Sequence, residues 1–142
     1  MSGPSGLLLD AMGTLIGLRQ SVGESYAAVA ETFGLTIAPE ALNGVFAGLF
    51  RQAPELAFPG LSGEALLEAE ERWWTTLVSR VFAACGHEGP LPEGFGTTLF
   101  QHFAKADPWL VYPDVHENLQ RWQQRGLKLA VVSNFDQRLL PL

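Results

Sequence analysis

Apolar residues recur along this chain with two different spacings. Short unbroken runs occur twice, at Leu7-Leu8-Leu9 and at Leu127–Val132. Such runs predict strands of a parallel sheet, buried on both faces. The first run stops at Asp10 and the second at Ser133-Asn134. Between them the spacing is helical. Val22, Tyr26, Val29, Ala30 and Phe33 share one face of a helix that opens on Ser21-Val22-Gly23-Glu24, a capping box, and stops at Gly34. A second helix starts at Pro39, with Leu42, Val45, Phe46, Leu49 and Phe50 as its stripe. The longest runs from Ser62 or Gly63 to about Cys85, with Leu66, Trp73, Trp74, Leu77, Val78, Val81 and Phe82 along one side. Pro92 to about Phe103 predicts a shorter helix carrying Phe95, Leu99 and Phe103. Asp114, with Glu117 three residues on, caps a last helix in which Val115, Leu119 and Trp122 face inward.

A strand, a long helical insertion, then a helix and a second strand make an α/β chain. The final helix and strand form one half of a right-handed parallel crossover. The expected division is residues 1–16 and 108–142 as a partial Rossmann-like parallel sheet, and 17–107 as an inserted helical domain.

Composition and charge narrow the function by exclusion. At 142 residues and 47% hydrophobic the chain is globular. Its net charge of −6 disfavours a nucleic-acid partner. No apolar run approaches the ~20 residues that span a bilayer. The start, Met1 to Gly6, lacks a basic, apolar leader, so a cytoplasmic protein is expected. Cys85 follows the apolar stripe and reads as a structural thiol. His87, His102 and His116 share no ligand spacing, and Glu64, Glu68, Glu70 and Glu71 read as a solvated helix face. The candidate chemistry lies at the strand ends. A carboxylate at the carboxyl edge of a parallel strand stands where open α/β sheets bind ligands.

These strand ends resemble the motifs of the haloacid dehalogenase-like hydrolases. In that family an apolar strand is followed by Asp-x-Asp-x-Thr, and a later apolar strand ends in Ser or Thr, often before Asn. Asp10, Gly13 and Thr14 match the first motif, and Ser133 and Asn134 the second. The helical sequence between them is similar to the subgroup that inserts a cap straight after the first strand. The resemblance implies that Asp10 attacks a small-molecule substrate, a phosphate ester or a 2-haloacid. Thr14 would orient the site, while Ser133 and Asn134 donate hydrogen bonds to the transferring group. It also implies Mg2+ for phosphatase chemistry, held by Asp10 and the Met12 backbone carbonyl, and no cofactor for dehalogenase chemistry.

Two departures bear on activity. Met12 stands where the family's second, proton-transferring acid belongs. The 2-haloacid dehalogenases also lack that acid, and their Asp-Ala-Tyr-Gly-Thr-Leu is similar to Asp10-Ala11-Met12-Gly13-Thr14-Leu15. A second similar subgroup has a degenerate first motif and Ser-Asn-Phe-Asp in the second, as at Ser133–Asp136. The family's lysine and metal-binding acids are expected beyond Leu142, and neither Lys105 nor Lys128 replaces that lysine. The chain alone is therefore expected to be an incomplete hydrolase. The alternative is a non-catalytic chain that self-associates or binds a partner through an exposed sheet edge.

Overall fold

Strand β1 (Gly6–Leu9) and strand β4 (Lys128–Val131) pair in parallel, with Gly6 opposite Lys128 and Leu9 opposite Val131. The computed structural model describes residues 3–142; Met1 and Ser2, part of the segment read for a leader, lie outside the described residues. Between the paired strands run β2 (Ile16–Leu18), α1 (Val22–Thr32), α2 (Pro39–Gln52), α3 (Gly63–Ala84), α4 (Phe95–His102), β3 (Trp109–Val111) and α5 (Val115–Gln124). A 3-10 turn, Gln137–Leu139, follows β4. The chain divides into two compact units. One holds Met1–Arg19 and Trp109–Phe135, the other Gln20–Pro108 and Asp136–Leu142. The last seven residues, assigned by sequence to the sheet portion, thus group with the helices.

In the sheet unit α5 packs on β4, and Val115 is its buried anchor. The expectation of strands buried on both faces is not met. Leu7 and Leu9 are half-buried, but Leu8 is 75% exposed and Val132 61%. The sheet holding β1 has two strands among the described residues, which leaves apolar side chains uncovered. The antiparallel pair of β2 and β3, with Ile16 opposite Val111, was not legible in the sequence. Three-residue strands carry too few positions for a period to register. Asp114 occupies the N-cap of α5 in an αR conformation and makes no side-chain cap, contrary to expectation. A capping side chain needs the extended backbone that Asp114 does not adopt.

The helical unit is built on aromatic packing. Tyr26, Leu42, Leu77, Val81, Phe82, Phe95 and Leu99 are all at most 2% exposed. Phe82 lies between Tyr26, stacked at 6.4 Å, and Phe95, edge-on at 5.1 Å. Phe33 meets Phe95 edge-on at 5.3 Å. Such ring pairs add roughly 0.5–1.5 kcal/mol beyond burial. Burial pushes the Tyr26 phenol far above its ordinary range. The capping box forms as the sequence predicts: Glu24 N–H donates to Ser21 Oγ at 3.2 Å, and Ser21 N–H to Glu24 Oε2 at 2.8 Å. Among the described residues no helix is long and apolar enough to cross a membrane.

Helices α1 and α2 meet at Gly23. Its N–H donates to Asn43 Oδ1 at 2.8 Å, and an added Cβ would lie 2.1 Å from the Pro39 carbonyl oxygen. Backbone, not a movable side chain, fills that space. Gly23→Ala is therefore expected to lower stability by about 2–3 kcal/mol, as overpacking does. Ser21→Ala, which removes the cap and the acceptor for Asn43 Nδ2, is expected to cost about 1 kcal/mol. Urea unfolding of both variants checks the order of the two effects.

Candidate active site

The parallel register determines which side chains meet at the sheet edge. Val132 N–H donates to the Leu9 carbonyl at 2.8 Å, so the pairing continues one residue past β4. Asp10 and Ser133 therefore leave the sheet at the same, carboxyl end. This is the edge at which open α/β sheets take their ligands.

A tight turn presents Asp10. Ala11 is 2% exposed, and its carbonyl accepts from the N–H groups of Thr14, Leu15 and Ile16 at 3.2, 2.8 and 3.1 Å. Gly13 has φ +80°, a left-handed conformation that a side chain would strain, and its N–H returns to the Ile16 carbonyl at 2.8 Å. Buried Ala11 thus anchors the turn, and Asp10, Met12 and Thr14 are exposed around it. Asp10 Oδ1 accepts from Ala11 N–H at 2.8 Å, which orients the carboxylate. Across the edge, Ser133 is half-buried and its Oγ accepts from Phe135 N–H at 3.1 Å. Asn134 is exposed. Phe135 packs against Trp109 with centroids 5.2 Å apart, which anchors the segment carrying Ser133 and Asn134. Sequence reasoning did not identify this contact, because the partners are far apart in the chain.

All five residues named from the motifs thus lie on the two segments that leave this edge. The arrangement supplies an exposed carboxylate, a hydroxyl and an amide. As a metal site it is sparse. Asp10 and the Met12 carbonyl provide two oxygens, whereas Mg2+ takes six, several of them water. Among the described residues no three His, Cys, Asp or Glu side chains cluster. These residues do not by themselves make a Mg2+ site.

A family model for haloacid dehalogenase-like hydrolases matches residues 4–141. The chain belongs to the haloacid dehalogenase-like hydrolase family. It is 35% identical over 134 residues to haloacid dehalogenase-like hydrolase domain-containing protein 3 of Danio rerio, covering 94% of this chain and 54% of that protein. The Homo sapiens protein of the same name is 33% identical, again over 94% of this chain and 53% of its own length. A crystal structure of a dehalogenase superposes with a TM-score of 0.52 at 18% identity, covering 99% of this chain and 55% of that one. The chain spans about half the length of these relatives. The fold is the α/β fold of a haloacid dehalogenase-like protein, with five α-helices and a small parallel sheet among the described residues.

One residue of the helical unit departs from its sequence expectation, and an ion pair there has no counterpart in it. Glu70 was placed on a solvated face but is 6% exposed, and its Oε2 accepts from Gln137 N–H at 3.3 Å. Asp136 groups with the helical unit. It forms a buried fork with Arg138, Nε to Oδ1 at 2.8 Å and Nη2 to Oδ2 at 2.5 Å, and accepts from Trp74 Nε1 at 2.7 Å. The guanidinium lies over the rings of Trp74 and Phe100, at 4.8 and 4.3 Å from their centroids. No local signal in Phe135-Asp136-Gln137-Arg138 announces a buried pair two residues apart.

Burial, more than its other surroundings, pushes the Glu70 carboxyl above its ordinary value, with Asp136 adding to the rise. A carboxyl raised in the folded state favours folding when protonated, so its ionised form costs stability above the folded pKa. The cost fades as pH falls through that value to the unfolded one. Gln at this position keeps the acceptor for Gln137 without the charge. Glu70→Gln is expected to raise the melting temperature by up to a few degrees near neutral pH. The difference should vanish by about pH 4, where both chains are uncharged at this site. Calorimetric scans across that range measure it.

Proposed function

We propose that this chain carries the nucleophile of a hydrolase acting on a small phosphate ester or 2-haloacid, with Asp10 as the attacking group. The observation that carries the proposal is the common edge. The parallel register brings an oriented, exposed carboxylate to the same end of the sheet as Ser133 and Asn134. With Oδ1 engaged by Ala11 N–H, Oδ2 of Asp10 is the oxygen that attacks. Thr14 orients the turn, and Ser133 and Asn134 stabilise charge on the transferring group by hydrogen bonding.

The two substrate classes ask different things of residue 12. Attack on a 2-haloacid forms an ester to Asp10 as the carbon–halogen bond breaks, and the halide leaves with its electron pair and no proton. Attack on a phosphate ester forms an aspartyl phosphate and releases an alkoxide that needs a proton. Met12 has none to give, and loss of acid–base help typically costs about 10²–10⁴ in rate. For the phosphate ester, Asp10 and the Met12 carbonyl are the proposed contributors to Mg2+, with the remaining ligands from outside these residues. Lys128 begins β4 at the far end from Asp10, so the strand pairing does not bring its ammonium to the carboxylate. We infer that the chain turns over slowly unless another segment supplies the missing charge.

A second reading is a chain that works by binding, not catalysis, by self-association or through a partner at the open sheet edge. The exposed apolar side chains of Leu8, Val131 and Val132 favour it.

A single-turnover labelling experiment in H2 18O separates these readings. The full chain is mixed with 2-chloropropionate or with p-nitrophenyl phosphate and Mg2+, quenched, digested and weighed by mass spectrometry. The expected result is an adduct on Asp10 that is absent in Asp10→Asn. After ester hydrolysis at the carboxyl carbon, heavy oxygen remains in Asp10; hydrolysis at phosphorus leaves its oxygens unchanged. No adduct with either substrate contradicts catalysis by Asp10 and favours the binding reading.

A further inference from the structure

The helical unit carries a groove that this chemistry does not use. It runs along α3 beside the loop after α2 and has a volume of about 410 Å3. Trp73 and Leu77 from α3 line it together with Phe58 and Leu61 from the loop. The loop is tied down, because the Trp73 indole N–H donates to the Pro54 carbonyl at 3.0 Å and Leu61 N–H to that of Phe58 at 3.1 Å. Leu61 is nonetheless 43% exposed, so apolar surface remains open to solvent.

Charge distinguishes this groove from an ordinary surface dip. Arg72 and Arg80 both line it and both are exposed. Among the described residues the ion pairs are Arg121 with Glu117 and Arg138 with Asp136, so neither groove arginine is paired with a carboxylate of its own chain. The two sit eight residues apart on one helix, about 12 Å along its axis, with Trp73 and Leu77 between them. In a chain of net charge −6, two arginines without a carboxylate partner thus bracket the apolar lining of the groove.

We propose that this groove docks an acidic amphipathic helix of a partner protein. Two of the partner's carboxylates, about two turns apart, meet Arg72 and Arg80, and the apolar side chains between them cover Trp73, Phe58 and Leu61, while buried Leu77 forms the floor. The groove lies open along a helix, the geometry that suits a helix laid into it. A small ligand would instead be largely enclosed. A second copy of this chain fits poorly, since a two-fold pairing of the same face sets arginines against arginines.

The test is fluorescence anisotropy of a labelled synthetic helix with Glu residues eight positions apart and Leu between them, titrated with the full chain. A control peptide carries Lys in place of each Glu. The expected result is saturable binding of the Glu peptide, at least about tenfold weaker for the Lys peptide and for the Arg72→Glu/Arg80→Glu variant. Both substitutions are on exposed positions, so the variant should keep the parent melting temperature. The Lys peptide should in turn bind that variant better than it binds the parent chain. Equal affinity for the two peptides, or no saturable binding, overturns the proposal. So does arginine-dependent binding of dodecanoate in place of the peptide, which would mark a small-ligand site. A dimer that the arginine substitutions dissociate, seen by sedimentation, would assign the groove to a second copy and also overturn it.

Discussion

The parallel pairing of β1 with β4 is the constraint on which the candidate site depends. Asp10 and Ser133 are more than a hundred residues apart, and neither local turn alone brings them together. The alignment of Leu9 with Val131, extended by the hydrogen bond from Val132 to Leu9, does so. A parallel ladder orders both carboxyl ends on one edge, whereas an antiparallel one would send Asp10 and Ser133 to opposite ends. Side chains alternate along a strand, so a slip of one residue would turn every side chain of β4 to the other face. The turn after β1 adds precision locally. Buried Ala11 collects three N–H groups, and Gly13 closes the loop in a conformation natural to glycine.

A different kind of interaction holds the helical unit. Its interior is aromatic, and rings of α1, α3 and α4 meet edge-on or stacked. Beside this core, Asp136 and Arg138 are buried together, each with further partners on the helices. A buried ion pair adds little net stability, because desolvation offsets attraction, yet breaking one side of it costs about 3–5 kcal/mol. Its consequence here is conformational. The segment after Phe135 is held in one arrangement by Trp74, Phe100 and Glu70, groups on two different helices. The last residues therefore group with the helical unit, although sequence order attaches them to the second strand.

Much of this was legible in the sequence, and the reasons are specific. The stripes of α1, α2 and α3 span three or more turns, enough for a helical period to stand out from chance. The capping box at Ser21 and Glu24 works through neighbours only, so reading it needs no tertiary knowledge. The strand ends at Asp10 and Ser133 were visible because each apolar run stops abruptly in polar residues. Features set by distant partners were not visible. Leu8 is exposed because a strand's burial depends on what covers the sheet, which a run of leucines does not encode. Glu70 is buried because Gln137, far along the chain, returns to it. The β2–β3 pair and the contact of Phe135 with Trp109 are likewise long-range facts. The family resemblance came from motifs, and the geometry of their meeting came from the sheet.

The candidate site depends most directly on the strand register, and NMR measures it. Cross-strand nuclear Overhauser effects on the isotopically labelled chain are predicted to match Leu7 with Leu129 and Leu9 with Val131 in a parallel pattern. The Val132 amide should also be protected from hydrogen exchange by its bond to Leu9. An antiparallel pattern, a register shifted by one residue, or a freely exchanging Val132 amide would separate Asp10 from Ser133 and contradict the site described above.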